Sequence, residues 1–260
     1  MSTLFLLQRR AFVFVSKAIV TSCLFAGATA FAAEVKLAVA ANFAAPMKEI
    51  AQVFESATGH KLLVTPGATG KFYAQIANGA PFEVFVAADD ETPARLEKEG
   101  FGVPGTRFTY AIGQLALWSS VPAYVDGAGQ VLKTGNFKYL AIANPKVAPY
   151  GKAAVQVMQN MGIHAQLEPR IVQGESIAQA HQFIATGNAQ LGFVALSQIT
   201  EEGRVKSGSA WIVPENMHDV LRQDAILLNP GKQSEAARSL LAFMKSEKAK
   251  KIIRSYGYKL

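Results

Sequence analysis

The sequence predicts an α/β protein of two lobes, with mixed or parallel sheets flanked by helices and two segments crossing between the lobes. Three observations carry this. Strand and helix patterns alternate along the chain, the order expected of parallel strands joined by crossover helices. Residues 108–118 form an extended stretch too long for an ordinary single strand, suited to passing from one lobe to the other. A junction also recurs in which an apolar run meets a short turn of small or neutral polar residues and then a helix pattern.

Taken in order, residues 35–40 are a short apolar run, followed by helical spacing at Met47, Ile50, Ala51 and Phe54 that stops at Gly59. A second strand at 61–64 leads to a helix marked by Phe72, Tyr73 and Ile76 and ended by Asn78-Gly79. A third strand at 83–87 precedes a helix over 92–99. After the crossing near Gly113, a second set follows: strand 139–143, helix 152–161, strand 170–172, helix 177–184, strand 190–194 and strand 210–213. Residues 224–228 read as a strand returning to the first lobe. Two terminal helices carry the stripes Ala237, Leu240, Leu241, Met244 and Ala249, Ile252, Ile253, Tyr256. The resulting organisation is a leader over 1–32, lobe I over 33–113 and 225–260, and lobe II over 114–224.

The four junctions are Ala40-Ala41-Asn42-Phe43, Thr65-Pro66-Gly67-Ala68-Thr69-Gly70, Ala143-Asn144-Pro145 leading to Ala148-Pro149-Tyr150-Gly151, and Gly174-Glu175-Ser176-Ile177. Each sets backbone N–H groups at a helix start, where the partial positive charge favours an anion. Their side chains are mostly neutral, which suits a receptor for an oxyanion better than an enzyme. Glu175 is the exception and is expected to face away. Lys71 and Lys152, just past two junctions, read as solvated helix residues.

The 260 residues are 50% hydrophobic and 17% charged, enough for one large or two medium domains. Arg9, Arg10 and Lys17, an apolar stretch over 18–33 and Ala30-Phe31-Ala32 read as an export signal cleaved after Ala32. The single cysteine, Cys23, lies inside it, so the mature chain has no thiol chemistry. Of the formal charge of +7, three units belong to the leader, leaving about +4. The basic cluster Lys245, Lys248, Lys250, Lys251 and Arg254 lines a helix face turned to solvent, and with export it argues against a nucleic-acid partner.

Enzyme motifs are sparse. The four histidines are far apart, and no metal-ligand spacing or nucleophile elbow appears. Gly67-Ala68-Thr69-Gly70-Lys71 fails the Walker pattern, because Phe72 stands where a magnesium-binding hydroxyl belongs. Asp89 and Asp90 precede Thr92-Pro93 and read as helix-start residues. An exported enzyme using Asp89, Asp90 or His181 as acid–base groups is the minor alternative.

Assembled, these residues resemble the substrate-binding proteins of molybdate ABC importers over nearly the whole mature chain. The parts that carry the resemblance are the four junctions, Tyr73-Ala74-Gln75-Ile76 with Gly79-Ala80-Pro81, Val84-Phe85-Val86-Ala87-Ala88-Asp89, Leu191-Gly192-Phe193-Val194-Ala195, and Ile252-Ile253-Arg254-Ser255-Tyr256-Gly257-Tyr258. The resemblance implies a type II periplasmic binding protein that closes on molybdate or tungstate by a hinge motion. Carried over, the contacts are Ala41, Asn42, Thr69, Tyr150 and Ile177. Asn42, Thr69, Tyr150 and Ile177 would touch the oxyanion's oxygens, not the metal. The resemblance further implies no resident cofactor, no catalysis, a monomer in the periplasm, and a membrane permease with its ATPase as partners. Sulfate or another small oxyanion is the alternative ligand. Two departures stand out. Ala195 takes the place of a tyrosine that donates its hydroxyl in some members, a loss Tyr150 would offset. Ala41 occupies a position suited to a hydroxyl, leaving Asn42 as the side-chain donor of the first loop.

Overall fold

The computed structural model describes residues 32–201 and 203–260. The expected leader, with Cys23, lies outside the described residues apart from Ala32. Strand β1 (Glu34–Ala40) buries Val35, Leu37, Ala38, Val39 and Ala40, so both its faces are covered, as befits a central parallel strand. Helix α1 (Ala44–Thr58) packs its Met47, Ile50 and Phe54 stripe inward and stops at Gly59, whose φ of +74° is open to glycine at little cost. Strand β2 (Lys61–Gly67), helix α2 (Thr69–Ala77), strand β3 (Val84–Val86) and helix α3 (Glu91–Lys98) complete the first half of lobe I. Strand β1 pairs in parallel with both β2 and β3.

The long extended stretch is two strands. β4 (Phe108–Gly113) belongs to the first sheet and β5 (Leu115–Ser119) to the second, with Gln114 between them. The second lobe then builds α4 (Val131–Thr134), β6 (Leu140–Ala143), α5 (Pro149–Asn160), α6 (His164–Leu167), β7 (Ile171–Gly174), α7 (Ile177–Ala185), β8 (Leu191–Ala195) and α8 (Leu196–Ile199). A short antiparallel pair, β9 (Thr200–Glu201) and β10 (Arg204–Val205), and the edge strand β11 (Ser209–Ile212) follow. Its sheet runs β11-β5-β8-β6-β7, with β6 parallel to β7 and β8.

Strand β12 (Leu221–Leu227) returns to the first sheet, antiparallel between β3 and β4, giving the order β2-β1-β3-β12-β4. It enters at Leu221, earlier than the expected crossing near Asp224, because Arg222, Gln223 and Asp224 mask its start in the hydrophobic pattern. The register shifts between Gln223 and Asp224. Helices α9 (Glu235–Met244) and α10 (Glu247–Ser255) close lobe I, and α10 turns Lys248, Lys251 and Arg254 to solvent as its pattern predicts. Each lobe has its own apolar core, but Ala40, Ala41 and Ala88 of lobe I pack into the core of lobe II. Their small side chains let the two walls of the cleft meet. Among the described residues no helix is long and apolar enough to cross a membrane.

Candidate anion site

The five residues selected from the sequence come together. Ala41, Asn42, Thr69, Tyr150 and Ile177 line one cavity between the lobes, with Ala40, Gly67, Ala68, Ala88, Ala148 and Pro149. Its volume is about 10 Å³, room for roughly one water-sized sphere and far below the usual range of roughly 300–1,000 Å³ for drug-sized ligands. So small a space excludes a sugar or peptide. The walls touch beside it, where the Gly70 N–H donates to the Val147 carbonyl at 2.9 Å.

The cavity is built from helix starts. Thr69 opens α2, Pro149 and Tyr150 open α5, Ile177 opens α7, and the short 3-10 turn Ala41–Phe43 runs into α1. The first N–H groups of a helix lack intrahelical partners and carry the positive end of its dipole. None of α1, α2, α5 or α7 has an acidic residue in its first turn. Pro149 suits the first position of α5, where a missing N–H costs nothing. Gly151 follows because a Cβ there would overlap the Ala143 carbonyl, keeping this start tight against β6.

Thr69 is set up to donate. Its Oγ1 accepts the Ala88 N–H at 3.0 Å, which leaves the hydroxyl hydrogen for a ligand. Ser176 caps α7 by accepting from the Gln179 N–H at 3.4 Å, and it is not among the residues lining the cavity. At Ala195 there is no hydroxyl. Gln198 instead accepts the Ala195 N–H at 3.0 Å and donates to the Ile177 carbonyl at 3.1 Å, steadying the start of α7.

Two of the expected side chains have hydrogen-bond partners within the protein. Asn42 lines the cavity, but its Nδ2 donates to Gln223 Oε1 and to the Tyr258 hydroxyl, each at 2.9 Å, so both amide hydrogens are taken. The Asn42 carbonyl accepts from Ser197 Oγ at 2.8 Å and lies 2.9 Å from the Tyr258 hydroxyl. The Tyr150 hydroxyl accepts from Gln223 Nε2 at 2.9 Å beside Gly113. A Cβ at Gly113 would overlap both groups. The first-loop asparagine thus has both amide hydrogens engaged, whereas the Tyr150 hydroxyl accepts from Gln223 and keeps its own hydrogen to donate. Burial pushes the hydroxyl pKa values of Tyr110 and Tyr150 well above the ordinary tyrosine range, so both stay neutral.

Gln223, Tyr110 and Ser197 escaped the sequence reading, and Tyr258 entered it only as part of the C-terminal motif. The one available signal was Gln223, an uncharged polar residue inside an apolar strand and wholly buried. The charged residues near the cavity sit at its rim. Glu175 faces away from it, as expected, and pairs with Lys71 across the cleft at 2.6 Å, both exposed. Lys152 lies between Glu91 at 4.0 Å and Asp219 at 3.9 Å. Asp89 accepts the Thr92 N–H and hydroxyl, both at 3.0 Å, and burial raises its pKa to about 6. Asp90 faces Arg222 Nε at 3.8 Å. His181 is stacked on Trp118, ring centroids 5.0 Å apart, and burial lowers its pKa. These acid–base candidates therefore have other partners. Among the described residues no group of three or more His, Cys, Asp or Glu could hold a metal ion.

Residues 35–259 match the family described as bacterial extracellular solute-binding protein. The chain is 58% identical to the molybdate-binding protein ModA of Azotobacter vinelandii over 229 residues, 88% of this chain and 91% of the relative. It is 51% identical to ModA of Rhodobacter capsulatus, over 88% and 89%. The solved structure of the periplasmic molybdate-binding protein of Azotobacter vinelandii superposes with a TM-score of 0.85 at 41% identity, covering 87% of this chain and 99% of that one.

Proposed function

We propose, from the premise that the chain belongs to the bacterial extracellular solute-binding proteins and within them to the molybdate-binding family ModA, that it captures molybdate or tungstate between its lobes for an ABC importer. The observation that carries this reading is the small cavity between the lobes at which helix starts converge with no first-turn carboxylate among them. Molybdate holds no proton at neutral pH, so all its oxygens accept and none needs an acceptor in return. Phosphate near neutral pH retains a proton that would go unpaired here.

The proposed ligand shell is the main chain at Ala41 and Asn42, the Thr69 hydroxyl, and the N–H groups of Tyr150 and Ile177. The Tyr150 hydroxyl accepts from Gln223 and keeps its hydrogen, so that residue can offer the anion both its hydroxyl and its backbone N–H. Closure of the lobes excludes water and strengthens each hydrogen bond, and no covalent chemistry or resident cofactor takes part. The proposed organisation keeps the leader at 1–32 and, with β12 beginning at Leu221 in the first sheet, places lobe I at 33–113 and 221–260 and lobe II at 114–220. It places a monomeric mature chain in the periplasm, handing its ion to a membrane permease driven by an ATPase.

Thermal unfolding of ligand-free mature protein tests the reading. Ligand at a hundred times its Kd adds about 2.7 kcal/mol, equivalent to a rise of roughly 5–10 °C for a chain of this size. Molybdate and tungstate are expected to give that rise. A shift with sulfate or phosphate and none with molybdate would sink the proposal in favour of another small oxyanion.

A further inference from the structure

We infer that Gln223 is the positioning residue of the anion site: its neutral amide ties the first-lobe loop at Asn42 to the second-lobe helix start at Tyr150, fixing the spacing of the cleft walls without placing a charge beside the anion. This rests on the oxyanion reading above. The geometry is specific. Gln223 Oε1 accepts from Asn42 Nδ2 and lies 2.9 Å from the Tyr110 hydroxyl, while Nε2 donates to the Tyr150 hydroxyl at 2.9 Å. The reverse orientation of the amide would set its NH₂ against the NH₂ of Asn42.

The surroundings agree. The register shift between Gln223 and Asp224 lets two consecutive residues both be buried yet serve different partners. Asp224 turns to Arg107 Nη1 at 2.5 Å and Thr109 Oγ1 at 2.7 Å, while Gln223 turns to the network behind the cavity. Tyr110 and Gly113 lie on β4 and Gln223 on β12, the strands from which the chain leaves lobe I and by which it returns. A buried amide costs stability unless fully bonded, and an apolar residue would serve the sheet as well. A hydrogen-bonded network that links both crossing strands, one loop of lobe I and one helix of lobe II holds a single arrangement of the two walls.

Gln223→Glu tests this, because protonated glutamic acid has the amide's shape and can donate to Tyr150, whereas the carboxylate cannot donate and adds a buried negative charge. The groups facing the site are the neutral Tyr110, Tyr150 and Tyr258, Asp224 with Arg107, and Asp89. Affinity is therefore read as the ratio of variant to wild type at each pH. Calorimetric titration of the mature chain with sodium molybdate from pH 6 to 9 is expected to show binding weaker than wild type by about tenfold or more at pH 9. The gap should narrow toward pH 6, because burial raises the carboxyl pKa and protonation restores the donor. Equal affinities throughout, or a constant ratio at every pH, would overturn the inference. Gln223→Met, close to the amide in shape but without its hydrogen bonds, decides the matter if Gln223→Glu does not fold. It is expected to weaken binding about threefold or more, and wild-type affinity would contradict the inference. Failure of wild type itself to bind molybdate would instead strike at the functional reading.

Discussion

Two sets of helices in this molecule begin differently. Helices α3, α9 and α10 each carry a glutamate in the first turn, Glu91, Glu235 and Glu247, and the short α4 is covered by Asp126, which accepts from the N–H groups of Gln130 and Val131. Helices α1, α2, α5 and α7 carry none, as do the one-turn α6 and α8 that do not line the cavity, and α2, α5 and α7 open at it. A first-turn carboxylate satisfies the positive end of a helix from within the chain. Where it is omitted at several converging starts, that potential is left for a ligand. The contrast teaches that selectivity here lies in which helices are left without an internal counter-charge, while the charged residues are kept to the rim.

Supplying the missing charge should break the contrast most sharply. Ala148 is the N-cap of α5 and lines the cavity. Ala148→Asp places a favoured capping residue there, yet it is expected to weaken molybdate binding by about a hundredfold or more through like-charge repulsion in a water-poor site. Calorimetric titration checks this, and unimpaired binding would remove the electrostatic basis of the contrast. A smaller loss, roughly ten- to hundredfold, is expected for Thr69→Val, which deletes a donor to the charged ligand and strands the Ala88 N–H. Thr69→Ser should retain most of the affinity in the same titration.

Asp89 offers a test by pH. Its folded-state pKa of about 6 lies above the ordinary 3.8 because of burial, so the folded chain holds the proton more tightly than the unfolded one. This group therefore makes stability fall as pH rises from about 4 to 6 and contributes no slope above that. Urea midpoints of Asp89→Asn across this window should lose that component of the slope, and an unchanged slope would refute the assignment. The smallest effect belongs to a surface helix. Glu235→Gln removes the first-turn charge of α9 and should lower Tm by about 1–3 °C while leaving molybdate affinity unaltered.

The parts of the fold that could be read in the sequence are those encoded locally. The overlong stretch at 108–118 announced a passage between lobes because one strand cannot use that length, and it resolves into β4 and β5. The four junctions were visible because small turn residues and helix spacing adjoin in the chain, and all four contribute to or flank the cavity. The network behind it was not visible, because its bonds join residues far apart: Asn42 with Gln223 and Tyr258, Tyr110 with Gln223, Tyr150 with Gln223. For the same reason the sequence could place Asn42 and Tyr150 at the site but could not tell that their side chains were already engaged. Strand β12 was shortened in prediction because Gln223 and Asp224 are buried by such distant partners, against the usual pattern of polar residues at strand ends.

Equilibrium dialysis of the mature protein against molybdate, with bound molybdenum measured by elemental analysis, tests most directly whether a site of neutral donors at uncountered helix starts selects an oxyanion without a proton. The predicted result is one molybdenum per chain at saturation, displaced by tungstate and retained against an excess of phosphate. No retained molybdenum, or its displacement by phosphate, would contradict it.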